Sequence, residues 1–168
     1  MVTGDVIGID PSLTATGLAY DGGQLTIRTD SDQPDGLRLD ILRATITGAL
    51  HGARLAVVED LPTHAHGAGR TGMAQGVIRL ALYELDIPLL IVTPATLKKF
   101  ATGKGNAGKA DMRMALYQRA GLDLRDDNQV DAWWLRALGC HLIDIPLVEL
   151  PKSHLVALDK VKLPLETS

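Results

Sequence analysis

Cysteine is nearly absent: one residue, Cys140, in a chain of 168. A lone thiol excludes an internal disulfide, and nothing else in the chain points to an oxidising compartment. Aromatic residues are sparse as well, at 4%, too few for a platform on which successive bases of a single strand could stack. No apolar run approaches the ~20 residues needed to span a bilayer. The N-terminus lacks a basic stretch followed by an apolar one, so no export signal is expected. These absences lead to the expectation of a cytoplasmic protein with no membrane contact. Bulk positive charge is also missing, the net charge being −3, which argues against a protein that coats nucleic acid. Internal repeats and low-complexity segments are absent too.

What is present is the composition of a folded domain, 46% hydrophobic with 22% charged residues. The length suits one domain with a sizeable core and is too short for two ordinary ones. Charge is unevenly spread. Between Lys98 and Arg113 lie five basic residues (Lys98, Lys99, Lys104, Lys109 and Arg113) against one acid, Asp111. An acidic protein with one such segment can still grip phosphates there.

Residues 5–10, 16–20 and 24–29 read as short strands, and the Asp-Gly-Gly at 21–23 suits a tight hairpin between the second and third. Residues 37–50 carry apolar side chains at helical spacing, with Asp35 as the expected N-cap. A fourth strand at 54–59 leads into the polar loop Asp60–Gly72, then a helix over Met73–Leu85 and a fifth strand at 87–92. Thr93-Pro94 opens a short helix. A Gly-rich loop (ATGKGNAGK), an amphipathic helix over Lys109–Ala120 and a last helix from about Asp126 to Leu142 follow. The pattern calls for a mixed α/β sheet with helices on its faces. Residues 1–145 form the expected domain and 146–168 an irregular tail that folds back or reaches a partner. Trp133 and Trp134, adjacent on one helix, cannot face the same way; one is expected in the core and the other against the tail or a partner.

The chemistry lies in the acids. The strand VIGID ends on Asp10 and the strand LAVVE on Glu59. Ionised Asp is rarely buried without a partner, so each needs a cation, a hydrogen-bond network or a ligand. In open α/β sheets, ligands bind outside the carboxyl ends of strands. The last helix adds RDDNQVDA, in which Asp127, Asn128 and Asp131 share a face. Converging hard oxygens without a His/Cys cluster select Mg²⁺ or Mn²⁺ over Zn²⁺. Two such ions ~4 Å apart can activate water and stabilise a leaving oxygen in phosphoryl displacement. Taken singly, a strand-end acid is more often a cap or a surface residue, and Asp127 reads as a first-turn acid favoured by the helix dipole. Their order along the chain favours the functional reading.

GIDPSLTATG, VVED and DDNQVDAWWLRALG together resemble the RuvC-type Holliday junction resolvases of the ribonuclease H-like superfamily, in particular short phage-borne members. The resemblance spans residues 5 to 142. It implies a ribonuclease H-like fold with a five-stranded mixed sheet flanked by helices on both faces. It also implies a homodimer and nicking of four-way DNA junctions with two Mg²⁺ ions per site, Mn²⁺ substituting. A phage origin would place the protein in the host cytoplasm.

By motif position Asp10, Glu59 and Asp131 resemble three of the family's catalytic acids. The fourth family ligand, Asp or His, falls at Asn128, with Asp127 one residue earlier. Either could serve, Asn128 through a neutral carbonyl; Asp127 is favoured because two divalent ions call for a carboxylate. Lys98, Lys99, Lys104, Lys109 and Arg113 resemble the family's DNA-contacting segment. In the loop after Glu59, which lacks an aromatic wedge, His64, His66 and Arg70 are left to face the junction. His64 and His66 have no third ligand and read as ordinary polar residues. Met73–Leu85, with Gly76, resembles the family's dimer helix.

Three other readings compete. An actin-like ATPase or sugar kinase shares the Gly-Ile-Asp opening, but needs about twice this length and a second phosphate loop. A nuclease of the same fold could act on RNA or on branched DNA generally. A non-cleaving junction binder would have no reason to keep Asp10, Glu59 and Asp131 together.

Overall fold

The computed structural model describes residues 5–50, 52–61 and 68–164. Five strands, β1 (Val6–Asp10), β2 (Ala15–Tyr20), β3 (Gly23–Arg28), β4 (Leu55–Glu59) and β5 (Leu89–Val92), form one sheet in the order β3-β2-β1-β4-β5. β1 runs antiparallel to β2, and β2 to β3, while β1–β4 and β4–β5 are parallel. The hairpin between β2 and β3 turns on Gly22, whose φ of 97° suits a residue without a side chain.

Alternation along the strands feeds two cores. Ile7, Ile9, Ala56 and Val58 meet α1 (Asp35–Ala49) and α2 (Ala68–Glu84) on one face. Val6, Leu55 and Val57 meet α3 (Pro94–Thr102), α4 (Lys109–Ala120) and α5 (Asp127–Leu142) on the other. This is the period-2 pattern of a sheet buried on both sides. Among the described residues no helix is long and apolar enough to cross a membrane.

The helix starts show where side-chain chemistry decides. Thr93 caps α3, its hydroxyl accepting the Thr96 N–H at 3.2 Å with Pro94 at the first helical position. Asp126 caps α5 in the same way. For α1 the expectation is corrected: Pro34 occupies the cap and Asp35 the first turn, where its carboxylate faces the Arg38 guanidinium at 3.3 Å. α2 begins at Ala68 rather than Met73, an extension the sequence hid because the polar, Gly-rich stretch before Met73 carries no apolar periodicity.

Two further expectations are corrected. Trp133 and Trp134 both lie in the core, packed edge to face at 5.0 Å, and the Trp134 indole N–H donates to the Met112 carbonyl. Adjacent residues on a helix can both be buried when it is covered on two sides; the sheet lies on one side of α5 and α3, α4 and the tail on the other. The tail is not wholly irregular. A short helix, α6 (Lys152–Leu155), leads into a 3₁₀ turn (Val156–Lys160), and Leu147, Val148, Leu150, Leu155, Ala157 and Leu158 pack on the α3–α5 core.

Candidate active site

β1 and β4 are parallel neighbours in the register Val6↔Leu55 and Gly8↔Val57. One step further along that face stand Asp10 and Glu59, side by side at the carboxyl edge of the sheet. α5 crosses above them. Its approach depends on two glycines: a Cβ on Gly8 would stand 2.0 Å from the Ala132 carbonyl oxygen, and one on Gly17 2.0 Å from that of Asn128. With side chains removed at both points, the helix backbone rests directly on β1 and β2. Asp131 is thereby lowered to the sheet edge.

The chain leaves Asp10 through a turn made by its own hydroxyls. Ser12 Oγ accepts the Thr14 and Ala15 N–H groups at 3.3 Å, and buried Thr16 accepts the Ser12 N–H at 3.1 Å. On the far side, buried Gln75 of α2 donates to the Glu59 carbonyl oxygen at 2.8 Å, fixing the end of β4.

The three acids perturb one another. Asp10 is raised well above its ordinary value, first by burial and then by the charges of Glu59 and Asp131. Burial and Asp131 push Glu59 up to about 7. Burial and Asp127 push Asp131 up to about 6. Lys98 opposes the shifts of Glu59 and Asp131, and Lys109 those of Asp10 and Asp131. Lys109 Nζ lies 3.0 Å from Asp127 Oδ2, and that hydrogen bond raises the ammonium's own pKa. A cavity of about 250 Å³ opens among Glu59, Asp131, Pro94, Lys98, Ala107, Gly108, Lys109 and Met112. A polar cleft lined by two shifted acids and two lysines, with a third such acid beside it, is a functional-site signature.

Each candidate residue has a definite place. Asp10, Glu59 and Asp131, with Lys98 and Lys109, belong to this edge, and Asp127 flanks it. Asn128 is turned aside: its amide donates to Asp126 Oδ1 at 3.0 Å. Arg113 is spent on the loop between α4 and α5, bonding the Leu124 carbonyl at 2.9 Å and approaching Asp123 at 3.7 Å. Arg70 approaches Asp35 at 3.7 Å, away from the acids. Lys104 lines a separate hollow between α3, α4 and α6, and Lys99 is half-exposed on α3. His64 and His66 lie outside the described residues.

Sequence reasoning missed Gln75, Thr26 and the side chain of Asp126. Asp126 accepts from Thr26 at 2.8 Å, from the Asn128 N–H at 3.0 Å and from Arg28 at 2.7 Å. Burial raises Asp126, but these bonds outweigh it and hold the acid below its ordinary value. Only the place of Asp126 near the start of the last helix was visible in the local pattern.

Oxygen donors on three separate elements, mutually repelling and open to a cleft, suit a hard divalent cation in chemistry. Among the described residues, no group of three or more His, Cys, Asp or Glu side chains is arranged to hold a metal ion as it stands.

A mixed five-stranded sheet with its acids at one edge and a helix laid across them is the ribonuclease H-like class of fold. Thermus thermophilus RuvC has this architecture: the structure of its complex with a Holliday junction substrate superposes with a TM-score of 0.71 at 23% identity. The match covers 86% of this chain and 98% of that one. No model of a known protein family matches the sequence. Individual relatives do. RuvC of Nocardia farcinica, a crossover junction endodeoxyribonuclease, is 32% identical over 164 residues, covering 85% of this chain and 83% of its own. RuvC of Rhodopirellula baltica is 28% identical over 159 residues, covering 84% and 89%. The chain belongs to the RuvC family of crossover junction endodeoxyribonucleases.

Proposed function

We propose that the protein is a structure-selective endodeoxyribonuclease that resolves four-way DNA junctions by paired, metal-dependent nicks. One observation carries the reading beyond family membership: Asp10, Glu59 and Asp131 stand at one sheet edge, each with its proton affinity raised by burial and then by a neighbouring carboxylate. A fold has no use for such repulsion unless a cation relieves it. The three carboxylates are the residues that hold divalent metal, Mg²⁺ with Mn²⁺ able to substitute, two ions per site. Bound there, the metal supplies an activated water and charge stabilisation for the departing oxygen.

Asp127 is the fourth acid. It lies beside Asp131 and raises its pKa, whereas the Asn128 amide is committed to Asp126. Lys98 and Lys109 border the cleft and hold a phosphate at the edge of the acid cluster, Lys109 releasing Asp127 as it does so. Lys104 and Lys99 extend the basic track along α3 and the following loop, while Arg113 and Arg70 contribute through the loops and helices they brace. A homodimer is formed through α2, whose Met73, Leu80 and Tyr83 are exposed at helical spacing. Two sites facing opposite strands of one junction account for paired nicks.

The test is cleavage of a labelled four-way junction, a fork and a linear duplex, each with Mg²⁺ and with Mn²⁺. Symmetric nicks in the junction, lost in Asp10→Asn, are the expected outcome. Equal cutting of the fork would widen the substrate class to branched DNA. Tight binding without a nick under either metal would make the protein a junction binder and overturn the assignment.

A further inference from the structure

Gly17 on β2 pairs with Asp10 on one side and Thr26 on the other, so Asp10, Gly17 and Thr26 form one row across β1, β2 and β3. Residues in register across a sheet point to the same face. The row begins with the central acid and runs under the first turn of α5, which rests on the bare Gly17 through the Asn128 carbonyl. At its far end Thr26 meets the residue that starts the helix, Asp126.

That meeting is more than a cap. An N-cap needs one oxygen, and Asp126 Oδ1 serves, accepting the Asn128 N–H at 3.0 Å. The other oxygen, Oδ2, is given wholly to β3: it accepts the Thr26 hydroxyl at 2.8 Å and the Arg28 guanidinium at 2.7 Å. Gln129, in the first turn of α5, donates back to the Thr26 hydroxyl at 3.1 Å. Both carboxylate oxygens are therefore occupied, on two elements 100 residues apart in sequence. The same carboxylate draws the Asn128 amide away from the acid cluster.

We propose that Asp126, clamped by Thr26 and Arg28, is a positioning residue for catalysis: it fixes the first turn of α5 so that Asp131 and Asp127 stand opposite Asp10 and Glu59. The inference rests on the nuclease reading of those acids. It adds that the outermost strand of the sheet, remote from the acids in sequence, governs their spacing. Small displacements of groups that must act together are costly in rate, whereas loss of one part-buried hydrogen bond costs only a modest share of stability.

Three variants separate the clamp from the cap. Thr26→Val removes the clamping hydroxyl without touching α5. Asp126→Ser keeps a capping oxygen but cannot reach β3. Asp126→Ala removes both. Single-turnover nicking, junction affinity without divalent metal, thermal melting with and without Mn²⁺, and amide exchange across residues 127–131 are measured for each.

Thr26→Val and Asp126→Ser are each expected to slow nicking by about 10- to 100-fold, with junction affinity unchanged. Amide exchange in the first turn of α5 should rise in both, and the gain in melting temperature given by Mn²⁺ should shrink. Their combination should be no slower than the slower single variant, since one clamp is removed either way. If Asp126→Ser nicks at the wild-type rate while Asp126→Ala does not, Asp126 is a helix cap only and the proposal fails. Faster exchange with unchanged nicking likewise overturns it. Should the wild-type protein cut no junction, the nuclease reading fails by itself. The clamp would then stand or fall on exchange and on the Mn²⁺-dependent melting shift.

Discussion

Burial, and after it the charge of a neighbouring carboxylate, raises the proton affinity of each acid at the Asp10 edge, and the sign of that effect makes a testable claim about the metal-free protein. Glu59 goes from an ordinary 4.5 to about 7, and Asp131 from 3.8 to about 6. Between those limits the folded state binds more protons than the unfolded state, so stability falls as pH rises, and the loss is complete once pH exceeds about 7. The metal-free melting temperature should therefore decline between pH 5 and pH 8 through these groups. Glu59→Gln should flatten the decline and raise the melting temperature at pH 8. With partial exposure allowed for, the gain is about 1–2 kcal/mol, or roughly 2–8 °C for a chain of this size. Mg²⁺ or Mn²⁺ should have the same effect on the wild type and much less on Asp10→Asn. A scan in which Glu59→Gln melts lower than wild type at pH 8 would show that the acids do not repel as described. Gly17 makes the converse point about space. Gly17→Ala places a methyl group against the Asn128 carbonyl and should cost about 1–3 kcal/mol in urea unfolding, together with loss of nicking.

At the scale of elements, α1 carries the most demanding polar group. Arg38 is fully buried, its guanidinium donating to Thr29 at 3.0 Å, to Thr14 at 2.8 Å and to Asp35 at 3.3 Å. It ties the helix to both ends of the β2–β3 hairpin. Arg38→Ala leaves those acceptors unpaired and should destabilise the fold by about 2–4 kcal/mol, measurable as a lowered urea midpoint. The strands were legible because short apolar runs, two of them ending in acids, allow little else. α4 and α5 were legible from periodicity and from Gly121 and Asp126 at their boundaries. Asp10, Glu59 and Asp131 were readable for the same reason, since strand ends and helix faces are local properties. What could not be read depends on partners distant in sequence. Thr26 has no meaning for the site until β3 is seen beneath Asp126, nor Gln75 until α2 is seen behind Glu59. The turn of α6 was hidden because a single helical turn between prolines has no period to detect.

Two surfaces matter for the molecule as a whole. The outer face of α2 shows Met73, Leu80 and Tyr83, with Tyr83 80% exposed. These apolar side chains stand among exposed Arg70, Arg79 and Glu84, a mixed face of the kind that a partner surface can cover. If the proposed pairing through α2 holds, Leu80→Glu with Tyr83→Glu should convert the dimer to a monomer in light scattering, with the melting temperature of the monomer little changed and paired nicking reduced to single nicks. The second surface is the underside of α3. Residues 147–161 pack there, and His154 bonds the Phe100 carbonyl at 3.0 Å. The helix carrying Lys98 is thus backed by the last described part of the chain. Synthesis proceeds from the N-terminus, so every acid has been made before that backing has. Until then the underside of α3 lacks the cover that residues 147–161 supply.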